Sequence, residues 1–162
     1  MTFAQAVQRA PAPIPAAFRA GKQALKAEHR DLVRCANPRR FTGSIALDNS
    51  LRAVRAHAAA NRWDYGLGIQ DHGAVEVAIW IEVHPATTGE VETVLCKHKW
   101  LVAWLQNEAE SLRLLTRRTS RGKNFYWLAT AAGVHIRPGS PQARKLQQAG
   151  LDLPKRVVSL DG

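Results

Sequence analysis

The chain has 162 residues, 46% of them hydrophobic and 22% charged, which suits one domain with a buried core. Lys and Arg total 23 against 13 Asp and Glu, a formal charge of +10 and a pI near 10.4, so the surface field favours polyanions and makes nucleic acid the expected partner class. Cys35 and Cys96 form no CxxC pair, and no apolar run reaches the roughly 18 to 20 residues needed to span a bilayer; neither a disulfide framework nor a cysteine-rich zinc site nor a helical membrane span is indicated, and a cytoplasmic location is expected.

Residues 1–15 carry Pro11, Pro13 and Pro15 and no basic patch followed by an apolar segment, so they read as a flexible N-terminal arm without a secretory signal, and residues 16–162 as a single domain. From Ala16 to Val33 the spacing of Phe18, Leu25 and Leu32 predicts a first helix, ended by Asn37-Pro38. Phe41 to Leu47 reads as a short strand. Asp48-Asn49-Ser50 then offers N-cap chemistry for a helix over Leu51 to Asn61, which makes Asp48 a cap rather than a ligand.

Trp63 to Ile69 and Ala74 to Val83 are apolar runs around the turn-like Gln70-Asp-His-Gly73, the pattern of a β-hairpin. In the second run Val75, Val77, Ile79, Ile81 and Val83 take one face, and Glu76, Ala78, Trp80, Glu82 and His84 the other. Pairing about residues 71 and 72 brings positions near 64 and 80 opposite each other, so Asp64 and Glu82 can approach.

A long helical pattern runs from about Glu90 to Leu115, with a stripe of Val91, Val94, Leu95, Leu101, Val102, Leu105, Ala109 and Leu112. Lys97 and Lys99 flank that stripe on opposite sides, so at most one can reach the acids. Trp100 and Trp104, at i and i+4 away from the stripe, suit a second packing surface or a partner, core packing being the expectation. Arg113, Arg117, Arg118, Arg121 and Lys123 surround a Thr/Ser/Gly loop where a phosphate backbone could run. Asn124 to Thr130 suits a buried strand, Ser140-Pro141 opens a helix that Gly150 stops, and Val157 to Leu160 supplies an edge strand.

The chemistry-bearing group is Asp64, Glu82, His84 and Lys97 or Lys99. Two carboxylates on neighbouring strands can hold Mg²⁺ or Mn²⁺ through hard oxygen ligands, and a nearby ammonium can stabilise charge on a phosphate. Each acid taken singly also fits a surface ion pair, and His84 before Pro85 fits a strand end. The aromatics Trp63, Trp80, Tyr126 and Trp127 suit base stacking and ordinary strand packing alike.

With Asp64 as the first acid and Glu82-Val83-His84 at the E-x-K position, the chain resembles the PD-(D/E)xK nuclease superfamily over about Ala16 to Thr130. The resemblance implies an α/β fold with a restriction-endonuclease-like mixed sheet flanked by helices, and a metal-dependent nuclease cleaving DNA or RNA. Two departures stand out: His84 occupies the Lys position, so the lysine would come from the following helix as Lys97 or Lys99, and a helix separates the first two strands.

The same charge also fits a non-catalytic nucleic-acid-binding domain or a protein-interaction domain. Oligomeric state is left open, a homodimer included. No Walker loop, GxGxxG, HExxH or GxSxG occurs, so nucleotide hydrolysis, dinucleotide redox and the common hydrolase routes lack their marks.

Overall fold

The computed structural model describes residues 1–117 and 123–161, with no description of the side chains of residues 131 and 132. Thr2 caps the first helix, α1 (Phe3–Gln8), through a reciprocal capping box with Gln5. After 3₁₀ and turn segments come α2 (Ala27–Arg30), β1 (Val33–Arg34), β2 (Phe41–Ala46) and α3 (Leu47–Leu51). The hairpin strands β3 (Tyr65–Gln70) and β4 (Glu76–Ala86) follow, then α4 (Val91–Asn107), α5 (Glu110–Leu115), β5 (Phe125–Val134), α6 (Pro141–Gln148) and β6 (Val158–Ser159).

A four-stranded mixed sheet runs β2-β3-β4-β5, antiparallel up to β4 and parallel between β4 and β5. The parallel pair requires a crossover, and α4 and α5 provide it. A second sheet of two strands pairs β1 with β6 in parallel, while Leu151 and Lys155 bridge to the outer edge of β5. The fold is therefore mixed α/β. Among the described residues no helix is long and apolar enough to cross a membrane.

The period-two alternation of β4 separates two cores. Ala78 and Trp80 face a layer containing α1, α4, α5 and α6, whereas Val77, Ile79 and Ile81 pack with Leu25, Val33, Tyr126 and Val158. Glycines in β3 make the first face possible. A Cβ on Gly66 would stand 2.6 Å from Cζ3 of Trp80, and one on Gly68 would overlap Phe3, so bare backbone admits both rings.

Several expected elements take other forms. Residues 1–15, expected as a flexible arm, carry α1, whose Phe3, Ala6 and Val7 are all 0% exposed. Phe3 N–H also donates to Glu76 at 2.7 Å. The predicted helix from 16 to 33 is turns and the four-residue α2: Gly21 takes φ +52°, and Arg19 exchanges backbone hydrogen bonds with Ser44 of β2 at 2.9 and 2.8 Å. At Arg19, pairing with the edge of β2 has replaced helical self-pairing.

The helix expected over residues 51–61 is a short α3 followed by turns, wrapped around Arg62, whose Nη1 donates to the carbonyls of His57, Ala58 and Ala60. Asp48 lies inside the first turn of α3 and is not its cap; it accepts from Arg62 Nε at 3.0 Å and from Arg52 at 3.1 Å. The long helix divides at Glu108 and Ala109, a break that no Gly or Pro announces. Its buried face includes His98 and Trp104, while Val102, expected in the stripe, is 45% exposed. Trp104 is part of the main core, with Trp100 stacked on it at 6.1 Å.

Candidate functional site

The β3–β4 register pairs Tyr65 with Ile81, so Asp64, one residue before β3, falls beside Glu82. Their contact is reciprocal. Asp64 N–H donates to Glu82 Oε2 at 3.1 Å, and Val83 N–H donates to Asp64 Oδ2 at 2.9 Å. The observed register centres the turn nearer residue 73 than the expected 71–72, and this shift sets position 64 against 82 instead of 80.

Glu82 is 0% exposed, and Lys97 reaches its Oε1 from α4. His84 stands two residues on, with Nδ1 3.6 Å from Glu82 Oε1 and Nε2 2.6 Å from Glu90 Oε2. Three acids thus share two basic partners in a region partly withdrawn from water. Burial pushes the Asp64 carboxyl above its ordinary range, against the opposing pull of Lys97 and the Val83 N–H. Burial raises Glu82 as well, and the neighbouring Asp64 charge adds to the rise while His84 and Lys97 oppose it. His84 is raised chiefly by Glu82 and further by Glu90, with desolvation working the other way, so these carboxylates favour the imidazolium.

Asp64 borders a cavity of about 460 Å³ that Lys26, His29, Asp48, Asn49, Arg52 and Tyr65 also line. His29 Nδ1 lies 3.0 Å from the Tyr65 hydroxyl. Sequence reasoning missed these residues. Lys26, His29 and Arg52 fell in stretches expected to be helical, where nothing signalled that two separate loops would converge on one acid.

Of the residues singled out from sequence, Asp64, Glu82, His84 and Lys97 come together. Lys99 lies elsewhere, lining a cavity with Leu95, His98 and Val102. Arg113 sits on α5 with Nη2 3.4 Å from Glu110, Arg117 is exposed beyond that helix, and Lys123 donates to Leu151 O at 3.4 Å. Arg118 and Arg121 lie outside the described residues. Lys123 precedes the start of β5, which is paired with Trp80, and so belongs to the other end of β4 from His84.

Among the described residues no group of three or more His, Cys, Asp or Glu side chains is arranged to hold a metal ion. Asp64 and Asp48 line the cavity and can turn oxygens to a hard cation, whereas Glu82 lies behind Asp64, 0% exposed, with Oε1 on Lys97 and Oε2 accepting from Asp64 N–H. Mg²⁺ commonly keeps several waters and takes only one or two carboxylates, so Asp64 and Glu82 match it in ligand type, and Glu82 would have to exchange Lys97 or the Asp64 N–H for the cation. Comparison of the chain with protein families, curated proteins and solved structures gives no match.

Proposed function

We propose that the chain is a metal-dependent nuclease of the PD-(D/E)xK type, hydrolysing phosphodiester bonds at Asp64 and Glu82. The observation that carries this reading is the reciprocal engagement of the two acids with Lys97 brought to Glu82 from the crossover helix. The topology supports it: an antiparallel β2-β3-β4 run, a helical crossover and a parallel β5 follow the order such a core requires. Three departures remain, namely His84 at the Lys position, α3 between β2 and β3, and turns where the core's first helix is expected.

Mg²⁺ or Mn²⁺ held by Asp64 and Glu82 would supply charge neutralisation at the phosphate and a more acidic water. Lys97 carries a positive charge to the same carboxylates and stabilises negative charge developing beside them, an aimed donor of this kind contributing about 3 kcal/mol. His84, held between Glu82 and Glu90, keeps a second positive group next to the acids and fixes the end of β4. Lys26 and Arg52, the latter paired with Asp48, border the cavity at Asp64 and attract the flanking phosphates.

The test is cleavage of mixed DNA and RNA substrates with Mg²⁺, with Mn²⁺ and with a chelator. Wild type cleaves only with metal. Asp64→Asn, Glu82→Gln and Lys97→Ala each lower the rate by about 100-fold or more with circular dichroism unchanged, while Lys99→Ala stays within about twofold.

A second reading has its own support. Glu82 is already satisfied by Lys97 and by a backbone N–H, the arrangement of an internal brace in a nucleic-acid-binding domain without catalysis. Salt-sensitive binding that leaves nucleic acid intact under every metal condition selects it.

A further inference from the structure

Beside the cavity at Asp64 lies a second one of about 630 Å³, and His29 and Val83 line both, so the two adjoin. Their chemistries differ. The first gathers Lys26, Arg52 and Asn49 around Asp64 and Asp48, with Arg52 Nη2 3.1 Å from Asp48, a polar set in which Lys26 and Asn49 suit a phosphate and the two acids a metal-bound water. The second is lined largely by the apolar Leu32, Val83, Ala129 and Val157, with Thr130, Arg156 and Glu28 contributing polar atoms.

In the second cavity Arg156 and Glu28 act on a phosphate in opposite senses, and most of the wall between them offers it no donor. A nucleobase is matched there: its faces find aliphatic walls, its amino groups find the Glu28 carboxylate and the Thr130 hydroxyl, and Arg156 can lie over its ring. Arg156 is exposed and has no ion-pair partner among the described residues, so its guanidinium is available. Phosphate-binding and base-binding chemistry thus sit side by side, which is the chemical layout of one nucleotide.

We propose that the cavity at Asp64 receives a backbone phosphate and that the adjoining apolar cavity receives an unpaired base of the same strand, making single-stranded nucleic acid the preferred substrate. A paired base is stacked and has its hydrogen-bonding edge engaged, so a duplex must first be opened to fill the second cavity. The proposal deepens the nuclease reading, since it takes Asp64 as the point of chemistry, but its binding half stands without hydrolysis.

The test is fluorescence anisotropy with three labelled oligonucleotides of equal length: a single strand, the same strand in duplex, and a strand with abasic sugars at its central positions. Each is titrated in chelator and again in Ca²⁺. The single strand is expected to bind about tenfold more tightly than either competitor. Val157→Trp, which fills the apolar cavity, and Arg156→Glu are expected to erase the preference over the abasic strand while retaining native circular dichroism.

Equal affinity for the three oligonucleotides overturns the proposal, as does a preference that survives in both variants. Base-dependent single-strand binding without cleavage in Mg²⁺ or Mn²⁺ upholds this inference and rejects the nuclease. Cleavage with equal affinities does the reverse.

Discussion

Asp64 and Glu82 place the site's energetic burden on single residues. Burial raises both carboxyl groups, so between the ordinary carboxylate range near pH 4 and their raised values the folded chain binds more protons than the unfolded one. Their contribution to stability is therefore greatest below the unfolded value and declines as pH rises through the folded one. Asp64→Asn removes the charge and keeps an oxygen to accept from Val83 N–H. Its melting temperature relative to wild type is expected to be similar at about pH 4 and to rise progressively towards pH 8. A difference that shrinks with increasing pH, followed by differential scanning fluorimetry, would show instead that Lys97 and the backbone donor outweigh the desolvation of this acid.

Among the elements, α4 brings Lys97 to that site and α1 secures the far part of the same hairpin, and only α4 was legible. The period-3.6 pattern of α4 was plain in sequence, and with it the argument that Lys97 and Lys99 cannot both serve the same acids. The packing of α1 was not, because six residues with three prolines close behind carry too little periodicity to reveal what they bury. Its anchor is Phe3, inserted over Gly68 of β3 and tied by its N–H to Glu76. Phe3→Ala is expected to cost about 3 to 5 kcal/mol in chemical denaturation and to expose residues 1–10 to protease before the rest of the chain. A change under about 1 kcal/mol would restore the loose arm.

The break between α4 and α5 belongs to the same scale. Glu108 leaves the helix end to meet His57 Nε2, at 2.9 Å from its Oε1, and Ala109 is buried, so the turn answers to the loop before β3 and not to any local breaker. The same loop closes around Arg62, an arrangement of three carbonyls that no short window of sequence can disclose.

Across the whole molecule the charge of +10 is the property read most directly from composition, yet composition does not say where it acts. The basic run at 113–123 drew attention because it is contiguous, whereas Lys26 and Arg52 meet at Asp64 from separate segments. If only these two cations engaged phosphates, counterion release predicts about a tenfold loss of nucleic-acid affinity between roughly 50 and 200 mM salt. Lys26→Ala with Arg52→Ala should flatten that dependence more than Arg113→Ala with Arg117→Ala. The opposite ranking would return the main binding surface to the loop after α5.

Local pattern alone determined the β3–β4 hairpin, the two faces of β4, the strand from Phe125 and the capped helix at Ser140, and allowed residues 64 and 82 to approach without fixing the register that joins them, because period and turn chemistry act over a few residues. Tertiary structure decided which lysine meets Glu82, that Arg19 bridges to the edge of β2 while the rest of residues 16–33 forms turns and the short α2, and that two cavities share His29. Those outcomes depend on burial and hydrogen bonds between segments distant in the chain, whose free energies override the weak preference of any one segment.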